Sequence, residues 1–71
     1  MNQELRNAMS ALLRARAMVG RAMDEFDSVL FPRLLNEAGE AFNIIDDLLY
    51  ECRIQAVIER EEEKMISAVL N

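Results

Sequence analysis

The sequence predicts an all-α fold, a long antiparallel helical hairpin that dimerises into a four-helix bundle. Three observations predict it. Apolar residues recur at helical spacing along both halves of the 71-residue chain. Breakers are scarce, with two Gly and one Pro, and Pro32 falls near the middle. The apolar surface also exceeds what one helix can bury against one neighbour, which calls for contact on more than one side. No segment shows the β-branched alternation of a strand.

The first helix is expected from about residue 3 to about residue 30. Leu5, Leu12, Val19 and Phe26 recur every seven residues, and Ala8, Ala15, Ala22 and Val29 follow each by three. This is a heptad seam with alanine on one row, and alanine lets helices approach closely. A second strip, Met9, Leu13, Ala17 and Gly20, runs beside it. Together these residues form a seam for the hairpin or for a dimer. Gln3, Asn7, Ser10, Arg14, Arg21, Glu25 and Ser28 leave one narrow polar sector.

A turn is expected at about residues 31–32, because Pro32 disfavours helix at Phe31 and suits the first position of a new one. The second helix is expected over about 33–70. Its stripe is Leu35, Ala38, Phe42, Ile45, Leu49, Cys52 and Ala56, widened by Leu34, Ala41 and Leu48. A break near 55–60 is the alternative and would give three helices per chain. Beyond Ala56 the run "EREEEK" is so charged that it must be solvated or paired. The closing "MISAVL" sets Met65, Ile66, Val69 and Leu70 at helix-face spacing, suited to a second subunit or to a partner's groove.

A chain of this length seldom buries a core worth more than about 3–5 kcal/mol. One cysteine excludes an internal disulfide, and the absence of His and of a cysteine cluster argues against structural zinc. Oligomerisation is the remaining remedy. Cys52 reads as a small buried hydrophobe, which fits a reducing cytoplasm. No run approaches the ~20 apolar residues of a membrane span, and no secretory signal is evident. A cytoplasmic protein without a membrane role is expected.

Net charge is −5 and unevenly divided. Residues 1–23 hold four arginines against Glu4, while residues 24–71 hold twelve acids against four bases. Size and heptad plan resemble the Rop family of plasmid copy-control proteins, hairpin dimers that bind paired RNA loops, although no motif matches residue by residue. The resemblance implies an RNA-binding alternative in which Arg14 and Arg21 contact phosphates. Against this stand the acidic balance and the absence of aromatic stacking residues from the first helix.

Glu37, Glu40, Asp47 and Glu51 lie along one side of the second helix. The "EAGE" of residues 37–40 resembles the Glu-x-x-Glu element of MazG-type all-α NTP pyrophosphatases, which implies a magnesium site and a second enzymatic alternative. The later Glu-x-x-Asp of that family has no match, since Glu51 is followed at that spacing by Ile54. There is no Gly-rich phosphate loop and no serine or threonine with an evident base, so no catalysis and no cofactor are expected. The leading expectation is a small acidic interaction module, an adaptor or inhibitor of a larger protein of the kind found in phage, plasmid and bacterial regulatory systems. Its contacts would be the four carboxylates and Met65, Ile66, Val69 and Leu70, meeting a basic or apolar surface.

Overall fold

The computed structural model describes residues 3–70, which form two helices and no strand. α1 spans Gln3–Glu25 and α2 spans Pro32–Leu70. The molecule measures 64 × 15 × 11 Å, a layer about one helix thick. The all-α hairpin is thus present in a single chain.

α1 stops about five residues before the expected end. Its last turn carries Asp24 and Glu25 and no base, which opposes the partial negative charge at a helix C-terminus. Two residues on, Asp27 intervenes. Its carboxylate accepts the backbone N–H of Val29 at 2.7 Å and of Leu30 at 3.0 Å, while its carbonyl accepts Phe31 N–H at 2.8 Å. A carboxylate that caps new donors competes with the helix that would otherwise use them. The connection therefore occupies residues 26–31 rather than 31–32, and the Phe26 and Phe31 rings close it at 6.2 Å. Pro32 opens α2, and Leu35 N–H reaches the Phe31 carbonyl at 3.0 Å.

The two backbone hydrogen bonds hold the exposed Asp27 carboxyl below its ordinary pKa. Its contribution is present above the unfolded carboxylate range and is lost as pH falls through the depressed folded value. Asp27→Ala should therefore lower the melting temperature at neutral pH and have little effect at the acid end. Parallel thermal melts of both proteins across pH 2 to 7 check this; an equal deficit at every pH would contradict it.

α2 runs without interruption through residues 55–60, so a third helix does not form. Its inner stripe is the expected one: Leu49 is buried, and Leu35, Ala38, Phe42, Ile45, Cys52 and Ala56 are half-buried. On α1 the half-buried positions are Leu5, Met9, Leu12, Ala15, Arg16, Val19, Gly20 and Met23, and Phe26 just beyond it is half-buried too. The row facing α2 thus pairs the heptad leucines with Met9 and Met23. Ala8, Leu13 and Ala22 are exposed, so the alanine row is largely turned away from α2.

Three contacts fix the register. Arg16 pairs with Asp46, a Cβ at Gly20 would lie 3.6 Å from the Phe42 ring, and one at Gly39 would lie 3.7 Å from Met23. Facing residue numbers add to 62 in each pair, so Gln3 lies level with Glu59. Residues 60–70 consequently overhang α1 by about 16 Å, and all of them are exposed. The "EREEEK" run is helical with Lys64 near Glu61 at 3.6 Å, a weak solvated pair.

Candidate interaction surface

A two-helix layer has two broad faces and two edges, and helical spacing assigns each residue to one of them. The first face carries polar groups. Arg16 Nε donates to Asp46 Oδ1 at 2.5 Å, and the guanidinium lies 4.5 Å from the centre of the Phe42 ring. With both side chains 43% exposed, the pair and the stacking are each worth about 1 kcal/mol or less. Leu13, Arg16, Asp46, Leu49, Tyr50 and Arg53 line a shallow open groove there.

The opposite face is apolar. On α1, Ala8, Ala11, Ala15, Met18 and Ala22 recur at three- and four-residue intervals about 90° from the row that meets α2. On α2, Leu34, Ala41, Ile44, Leu48 and Ile58 lie on the corresponding flank, with Glu37, Glu51 and Gln55 at the intervening positions. Because the helices are antiparallel, both strips emerge on the same side of the layer, away from the Arg16–Asp46 groove. Met18 is 69% exposed and Ile44 60%. This face was only partly legible in the sequence: the alanine row was visible, but its direction depends on which flank of α1 meets α2.

The outer side of α2 carries Glu37, Glu40, Asp47 and Glu51, all exposed, with Glu40 and Asp47 directly away from α1 and Glu37 and Glu51 bordering the apolar face on the row of Ile44 and Ile58. Glu37 accepts a hydrogen bond from Arg33 Nε at 3.2 Å. Among the described residues no group of three His, Cys, Asp or Glu side chains comes together to hold a metal ion, so the Glu37–Glu40 element acquires no third donor. The outer edge of α1 carries Arg14 and Arg21, also exposed, and Arg14 donates to Ser10 Oγ at 2.9 Å. These two arginines remain at the surface, unlike Arg16, which is engaged with α2.

Met65, Ile66, Val69 and Leu70 form an exposed apolar patch on the overhang. Glu59 is half-buried where the overhang begins, lining a shallow depression with Glu4, Leu5 and Ala8. Cys52 is a half-buried thiol on the inner stripe. No described helix is long and apolar enough to cross a membrane. Compared with known proteins, the chain matches no family model, no curated protein and no solved structure at a significant level.

Proposed function

We propose that the chain is a non-catalytic helical interaction module that dimerises into a four-helix bundle and regulates a larger cytoplasmic protein as an adaptor or inhibitor. The observation that carries this reading is the division of the layer into an apolar face and an acidic edge. The apolar face calls for a helical neighbour, since one buried side chain, Leu49, is little core for two long helices. The acidic edge offers Glu37, Glu40, Asp47 and Glu51 to a basic protein surface, including one that otherwise binds nucleic acid. The depressions among the described residues are open and lack convergent buried polar groups, an arrangement suited to contact rather than catalysis.

Charge reversal tests the edge. The tagged chain is used to capture partners from nuclease-treated extract of its native cell, beside a Glu40→Lys, Asp47→Lys variant of equal helicity. A stoichiometric protein retained by the native chain and reduced at least about tenfold by the variant is the expected result. A defined RNA captured without nuclease, indifferent to the reversal and lost with Arg14→Ala and Arg21→Ala, would replace this reading with the Rop-like one.

A further inference from the structure

Two exposed apolar clusters remain at opposite ends of α2. One is the turn, where Val29 is 84% exposed and Leu30, Phe31 and Leu34 are also open; the other is the tip of Met65, Ile66, Val69 and Leu70. They belong to one strip. Two heptad rows on one side of α2 carry it, Leu34, Ala41, Leu48 and Val69 on the first and Ile44, Ile58 and Met65 on the second, with Gln55 and Glu62 interrupting the first and Glu37 and Glu51 the second. Within a chain the clusters lie about 48 Å apart and cannot meet.

We propose that a second copy of the chain lies face to face on this surface with its turn at the opposite end, so that residues 65–70 of each copy cover the turn of the other. The proposal rests on the dimer reading above and specifies its symmetry. A two-fold axis crossing the layer near Tyr50, the middle of α2, exchanges the ends of that helix and brings both clusters together twice over. The same axis crosses α1 level with Leu12, among Ala8, Ala11 and Ala15, where the small side chains let the two α1 helices approach closely.

The other face-to-face arrangement has its axis parallel to the helices and both turns at one end. It sets the two α2 helices on the bundle diagonal, about 11–14 Å apart for neighbours at 8–10 Å. Each tip would then project past both α1 helices with no helix in contact. Available area also favours a second copy. The chain exposes 5761 Å², about 1,300 Å² more than a compact monomer of its mass. A standard interface needs about 800 Å² from each partner.

The proposed symmetry has an electrostatic consequence. α2 carries nine acids against four bases and lies beside its own copy, so the acidic edges join into one wall while Arg14 and Arg21 of both copies share the other side. Like charges across the α2 pair are screened by salt. Self-association should therefore tighten as NaCl rises from about 0.05 to about 0.5 M, whereas the diagonal arrangement, which sets α1 against the acidic helix, has weaker like-charge repulsion to screen.

Cysteine pairs test the symmetry. In a Cys52→Ala background, the double variant Val29→Cys, Val69→Cys should form covalent dimers in a glutathione redox buffer, and neither single variant should. Rapid dimer formation by Val69→Cys alone would place the tips side by side and overturn the proposal. So would the absence of cross-links in a double variant that sediments as a dimer. A double variant and native chain that both sediment as monomers would instead remove the dimer reading on which the proposal stands.

Discussion

Leu49→Ala should abolish the cooperative thermal transition of the protein at low micromolar concentration. Leu49 is 3% exposed and is the one buried apolar side chain among the described residues. It sits midway along α2, where that helix faces α1 near Leu12 and Leu13. Truncating a buried leucine costs about 2–5 kcal/mol, through lost transfer energy and the cavity left behind. A chain of this size holds about that much stability in total. Circular dichroism against temperature checks the outcome; a sigmoidal melt within a few degrees of the native one would show that Leu49 is not the centre of the fold. Leu48→Ala, at a neighbouring but 47% exposed position, is the contrast within the hairpin.

Ile44→Glu combined with Leu48→Glu should convert a dimer into a monomer, raising the dissociation constant at least about a hundredfold, or about 3 kcal/mol. Both residues are exposed in the hairpin, so the charges cost little there. In the bundle they would be desolvated against an apolar surface and added to helices that already repel. The variant should also melt at a temperature independent of protein concentration, because mass action no longer links folding to assembly. Val57→Glu on the opposite, polar face should leave association intact. Equal weakening by both substitutions would mean that the apolar face is not the interface.

The α2 stripe was readable because leucine, phenylalanine and isoleucine dominate it and their spacing admits one direction. α1 was harder. Three of its strips are apolar, and the seam partner of Leu5, Leu12 and Val19 proves to be the Met9–Met23 flank, not Ala8 and Ala22. Alanine periodicity signals a close approach without saying to which neighbour. The turn begins earlier than Pro32 alone predicts because Asp27 lies two and three residues before the amides it caps. A break near residues 55–60 is the alternative that the sequence leaves open, and α2 continues through it because solvated Glu, Arg and Lys are good helix formers. The four carboxylates were visible from spacing alone, and among the described residues Arg33 is the base that pairs with one of them, Glu37.

The proposed dimer requires a second copy to cover the apolar face. Sedimentation equilibrium of the native chain at low micromolar concentration tests this most directly. A mass of twice 8.1 kDa, maintained or strengthened at higher salt, is the predicted result. A single mass of 8.1 kDa across the concentration range, with the helices still formed, would contradict it.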